Sequence, residues 1–153
     1  MLTVARLSKS FRGLRAVHAA SFSVPEGSIV ALIGPNGAGK TTIFNMIAGV
    51  HTPDSGEITL LDKRIDGLRP DQVCAAGIGR TFQLVKPFAG LSALDNVIVG
   101  ALHKERSVAA ARIHALSILK KLNLDSKAHL NASSLTLPDR KRLEVARALA
   151  TRP

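Results

Sequence analysis

Nine consecutive residues concentrate the chemistry of this sequence. Gly34, Pro35, Asn36, Gly37, Ala38, Gly39, Lys40, Thr41 and Thr42 fit the spacing G-x-x-x-x-G-K-[ST]. Each part answers to a triphosphate. Consecutive backbone N–H groups from Gly37 to Thr42 can converge on phosphate oxygens, and glycine lets the chain fold that closely because no Cβ intervenes. A helix beginning here adds the positive end of its dipole. Lys40 supplies a cation for the β and γ phosphates, and the Thr41 hydroxyl is a ligand for Mg2+.

The flanking pattern supplies the elements that must hold this loop. Residues 2–7 and 16–24 are short, partly alternating strand candidates, and Pro25-Glu26-Gly27 is a turn. Residues 28–33 are apolar at nearly every position, as in a strand covered on both faces. Residues 41–48 read as a helix, with Ile43 and Ile47 on one face and Gly49 as its stop. A turn at residues 52–56 leads to a strand over 57–61. Pro70 opens a short helix over 70–76, and 78–83 is a weak strand candidate. From Ser92 the texture becomes helical. Val108, Ala111, Ala115, Ile118 and Leu122 recur at three- and four-residue steps, and residues 140–150 place Leu143, Ala146, Leu149 and Ala150 on one side.

Composition bounds the class. The 153 residues are 46% hydrophobic and 21% charged, ordinary values for a globular chain with one core. No apolar run approaches the roughly 20 residues of a membrane span, and the N-terminus lacks a signal-peptide pattern. Cys74 is the single cysteine, which excludes an internal disulfide and fits a reducing compartment. His18, His51, His103, His114 and His129 fall in no metal-ligand or catalytic spacing. The net charge is +10, and it is uneven: residues 1–99 carry ten basic and seven acidic side chains, residues 100–153 eleven and four. That balance admits an anionic partner or the absence of an acidic segment.

Three stretches together carry a resemblance. GPNGAGKTT at 34–42, Gly79-Arg80-Thr81-Phe82-Gln83, and Leu143-Glu144-Val145-Ala146-Arg147-Ala148-Leu149 make the chain resemble an ATP-binding cassette (ABC) ATPase. The Arg80-to-Gln83 form resembles most the ATP-binding subunits of branched-chain amino acid importers. The resemblance implies an α/β P-loop NTPase core, incomplete, with N-terminal antiparallel strands and a helical subdomain. It divides the chain into a nucleotide-binding core over 1–83, a helical subdomain over 84–134, and a signature segment with its following helix over 135–153. Phe11 falls where the family stacks an aromatic on adenine, with Val17 packing beside it; such stacking is worth about 1–3 kcal/mol in nucleic-acid systems. Gln83 matches the residue that touches Mg2+ and the attacking water. ATP and Mg2+ are the implied cofactors. Transmembrane permease subunits and a second ATP-binding subunit are the implied partners, with the protein peripheral on the inner face of the cell membrane.

The signature departs from the family's Leu-Ser-Gly-Gly-Gln, reading Leu135-Thr136-Leu137-Pro138-Asp139. Leucine and proline replace two glycines, which adds bulk and removes one N–H, and Asp139 adds negative charge. Thr136-x-x-Asp139 still suits a helix cap. These departures predict weaker ATP-driven pairing of two subunits. No apolar strand ending in Asp-Glu follows within the chain, and the family's later switch histidine is not among these residues. The expectation is an N-terminal piece of a cassette that by itself hydrolyses no ATP and folds poorly. The competing reading is a non-hydrolysing nucleotide-binding or nucleic-acid-binding P-loop module using Arg140-Lys141-Arg142. With no aromatic interleaved in that run, a solvated helix face accounts for it better. No Asn-Lys-x-Asp motif supports a GTPase.

Overall fold

A computed structural model describes residues 1–82 and 84–153, which form two compact units, Met1–Ala76 and Gly77–Pro153. The first is built on an antiparallel sheet in the order β2-β1-β3-β4, from β1 (Leu2–Phe11), β2 (Leu14–Val24), β3 (Ser55–Leu60) and β4 (Lys63–Arg64). Arg12 and Gly13, both at positive φ (46° and 86°), make the two-residue turn between β1 and β2, as the right-handed twist of a hairpin requires. Helices α1 (Lys40–Ile47) and α2 (Pro70–Ala76) belong to the same unit. Its interior is made by Val4, Leu7, Val17, Ile43, Met46, Ile58, Ile65 and Val73.

Both N-terminal strands are longer than their alternation suggests. In β1 the buried residues are Val4 and Leu7, three apart rather than two. The register shifts between those positions, and Arg6 adopts φ 48°, so a bulge flips the phase of the strand. Ala19, at φ 47°, is a matching irregularity in β2.

The reading of residues 28–33 as a buried strand is corrected. These residues lie outside every strand, and Ile29 and Ile33 are 101% and 88% exposed. A strand apolar on both faces exists through parallel neighbours, whereas among the described residues the four strands of this sheet pair only with one another and antiparallel. The weak strand expected over 78–83 is likewise absent from residues 78–82. Residue 83 lies outside the described residues.

The second unit is helical. It packs α3 (Ala93–Ala101), α4 (Val108–Lys121) and α5 (Leu137–Ala150) around Val97, Ala111, Ala115, Leu119, Leu143 and Ala146. Ser92, Ser107 and Thr136 cap the three helices, their hydroxyls accepting from the N–H of Asp95, Ala110 and Asp139. Small residues bring α3 and α5 together: a Cβ on Gly100 would lie 2.7 Å from the Arg147 carbonyl oxygen. The helical stripe read from sequence buries Ala111, Ala115 and Ile118 but leaves Val108 exposed, and Leu119 joins the core instead. α5 starts three residues before the expected Arg140, because Thr136 caps it and Pro138 in the first turn forfeits no intrahelical N–H bond. Among the described residues no helix is long and apolar enough to cross a membrane.

Candidate functional site

Residues 34–39 form a tight loop that ends directly in α1. Gly39 is the residue before the helix and adopts φ 82°, a left-handed conformation that L side chains resist. Space enforces the same choice: a Cβ there would lie 2.3 Å from the Ala16 carbonyl oxygen and 3.0 Å from Val17 Cγ2. Inside the loop, Ala38 donates its N–H to Pro35 O at 3.3 Å, and Ile43 N–H returns to Gly39 O at 2.9 Å. No side chain caps α1, and its first turn holds no acidic residue. Its leading N–H groups are therefore not shielded by the protein's own carboxylates, which suits an anion.

Lys40 curls back over this loop. Its Nζ donates to Gly34 O at 2.7 Å and to Pro35 O at 2.6 Å. Thr41 is exposed, Thr42 is half-buried, and Ile43, Met46 and Ile47 anchor the opposite face of α1 in the core. Gly34, Pro35, Asn36, Gly37 and Ala38 are all exposed. The structure thus brings together the residues read from the motif: a cation, a hydroxyl and a run of backbone donors at one helix start.

Val17 is 6% exposed and lies against the Gly39 turn, so it buttresses the loop from β2. Phe11 stands at the end of β1, opposite Leu14, and is 39% exposed. Its ring meets His51 edge-on at 5.2 Å, and Lys9 Nζ lies 5.6 Å from the ring centre. A half-open aromatic with a cation beside it can still offer a face to a planar ligand.

The match to known proteins is decided over most of the chain. The ABC transporter family profile matches residues 17–153. The chain belongs to the ABC transporter family. The high-affinity branched-chain amino acid transport ATP-binding protein LivG of Salmonella typhimurium is 37% identical across 100% of this chain and 66% of its own length. BraF of Pseudomonas aeruginosa, with the same description, is 36% identical over the same shares. LptB of Escherichia coli, a lipopolysaccharide export system ATP-binding protein, is 35% identical over 99% of this chain and 64% of its length. The solved ADP conformation of an ATP-binding cassette of an ABC transporter is similar with a TM-score of 0.87 and 30% identity, covering 99% of this chain and 65% of the other. A dimeric cassette bound to ADP and Pi gives 0.88 at 28% identity, covering 100% and 71%. This ABC chain therefore spans about two thirds of the length of the curated relatives it matches.

In the second unit, residues 135–139, which sequence analysis aligned with the family's signature, lie at the capped start of α5. Asp139 is 3% exposed, and its carboxylate accepts from Lys127 Nζ at 2.6 Å, Thr136 Oγ1 at 2.7 Å and Arg142 Nη1 at 3.3 Å. The Lys127 ammonium, seconded by the Thr136 hydroxyl, holds Asp139 below the ordinary carboxylate range. The added negative charge is thus met by two cations of its own unit. What remains of the departure is the bulk of Leu137 and the missing N–H of Pro138.

Gln83 lies outside the described residues, but its sequence neighbours do not. Phe82 donates its backbone N–H to a Glu144 carboxylate oxygen, and Glu144 is buried at 9% exposure. Arg147 donates to Lys86 O at 3.1 Å and lies 4.6 Å from the Phe88 ring centre. Burial pulls the Arg147 guanidinium below its usual range, opposed by nearby Glu144. Both residues fall in the 143–149 run quoted above, but sequence reading gives neither a role of its own. Two charged residues set in a largely apolar run were the available signal. Among the described residues no group of His, Cys, Asp and Glu could hold a metal without outside ligands.

Proposed function

We propose that this chain binds ATP through residues 34–42 and forms the nucleotide-binding part of an importer's ATP-binding subunit. Branched-chain amino acids or similar small polar solutes are the proposed cargo, with ATP hydrolysis coupled to uptake. The observation that carries the reading is the Gly39–Lys40 turn. A left-handed glycine under Ala16 aims the start of α1 outward, and Lys40 is held over the same loop. Relatives described as branched-chain amino acid transport ATP-binding proteins support the cargo.

Under this reading each residue has one task. Backbone N–H groups from Gly37 to Thr42 cradle the phosphates, and Lys40 neutralises their charge as it develops on the outer oxygens. The exposed Thr41 hydroxyl would hold Mg2+, a hard cation that takes oxygen ligands. Bound there, Mg2+ would supply neutralisation of phosphate charge. Gln83 is the second proposed Mg2+ contact and positions water. Phe11 stacks on the base, with Val17 behind it. Residues 1–83 act as the core, 84–134 as the helical part that meets permease subunits, and 135–153 as the segment that meets a second ATP-binding subunit. The protein works on the inner face of the membrane.

The test is uptake. Membrane vesicles carrying the complete transporter should accumulate labelled leucine only with ATP inside, and Lys40→Ala should abolish accumulation. ATP-driven uptake of an unrelated solute, with none of leucine, would remove the cargo assignment while leaving the nucleotide site.

A further inference from the structure

Glu144 sits where α5 packs its core stripe, between Leu143 and Ala146, which are both fully buried. A carboxylate at 9% exposure is costly there unless it is hydrogen-bonded. Its partner is the backbone N–H of Phe82. Residues 78–82 lie in no strand, so no ladder secures that N–H, and the Glu144 side chain supplies the acceptor a neighbouring strand would. One turn further along α5, Arg147 donates to the carbonyl of Lys86. Asn96 of α3, fully buried, then closes the segment by accepting Phe88 N–H at 2.9 Å and donating to Phe88 O at 3.0 Å. Backbone on both sides of residue 83 is therefore held by side chains from α5, the helix that begins at the Thr136 cap.

We infer that Glu144 is a positioning residue for Gln83: by accepting the Phe82 N–H, its carboxylate fixes the backbone one residue before Gln83 to α5. The inference rests on the ATP-hydrolysing role of Gln83 proposed above. Glu144 touches neither nucleotide nor water in this scheme; it sets where the chain enters Gln83. A single helix, α5, carries both the Thr136 cap and the acceptor for the Phe82 N–H.

The acceptor, not the charge, is what the inference requires, and that separates it from a general stabilising role. In the full-length subunit within its transporter, Glu144→Ala should lower kcat for ATP about tenfold or more, with KM within about twofold. Glu144→Gln, which keeps a carbonyl oxygen in place, should recover kcat to within about threefold of the unsubstituted protein. Hydrogen exchange at the Phe82 amide should speed up about tenfold or more in the alanine variant and return in the glutamine variant. Unaltered kcat in Glu144→Ala with normal ATP binding overturns the inference alone. So does an equal loss in both variants, or a loss of kcat that merely tracks a lost folded fraction in a thermal melt. Failure of the unsubstituted protein to bind ATP overturns the nucleotide reading, and this inference with it.

Discussion

A Cβ on Gly39 would lie 2.3 Å from the carbonyl oxygen of Ala16, so the turn that opens α1 closes against β2 only with glycine at its end. Gly39 also sits at φ 82°. The two constraints act together, and they put the 34–39 loop under the control of the β1–β2 hairpin.

Gly39→Ala should therefore damage the loop twice. The left-handed backbone costs an alanine about 1 kcal/mol, and the backbone clash forces the loop or β2 to shift. ATP affinity, titrated with a fluorescent analogue, should fall at least about tenfold while the helical unit's circular dichroism is retained. Unchanged affinity would show that the loop tolerates a different path.

The Lys127–Asp139 pair gives a pH dependence whose sign is fixed. Asp139 is held below its unfolded value, so its contribution to stability is present above the ordinary aspartate pKa of about 3.9 and is lost as pH falls through the depressed folded value. Urea unfolding followed at pH 7, 5, 4 and 3 should show that loss concentrated below about pH 4. Asp139→Asn should flatten this acid limb. An equal acid slope in the variant would place the effect elsewhere.

Gly100→Ala tests the α3–α5 contact. Alanine favours a helix by about 1 kcal/mol over glycine. Against that, the new Cβ would stand 2.7 Å from the Arg147 carbonyl oxygen. Overpacking of this kind costs about 1–3 kcal/mol. The net expectation is a loss of about 1 kcal/mol by chemical denaturation, and a more stable variant would contradict the close approach.

Much of this was legible in the sequence, for reasons that differ by residue. The 34–42 motif could be read because it fixes both residue types and spacing, and the helical texture near 108–122 and 140–150 because the period repeats, although α5 begins at Leu137 rather than Arg140. Residues 28–33 were misread because an apolar run specifies burial but not the strands that provide it. The phase change between Val4 and Leu7 was hidden because Arg6 takes a left-handed φ with no glycine to announce it. Glu144 escaped because its partner is a backbone N–H 62 residues away in sequence, which no local pattern encodes.

The central claim is that residues 34–42 bind ATP through Lys40 and the N–H groups at the start of α1. Calorimetric titration of Mg-ATP into the full-length protein and its Lys40→Ala variant tests it most directly. Saturable one-to-one binding that weakens at least about a hundredfold in the variant is the predicted result, in line with about 3 kcal/mol for a charge-assisted contact to phosphate. Equal affinity in the two proteins would contradict it.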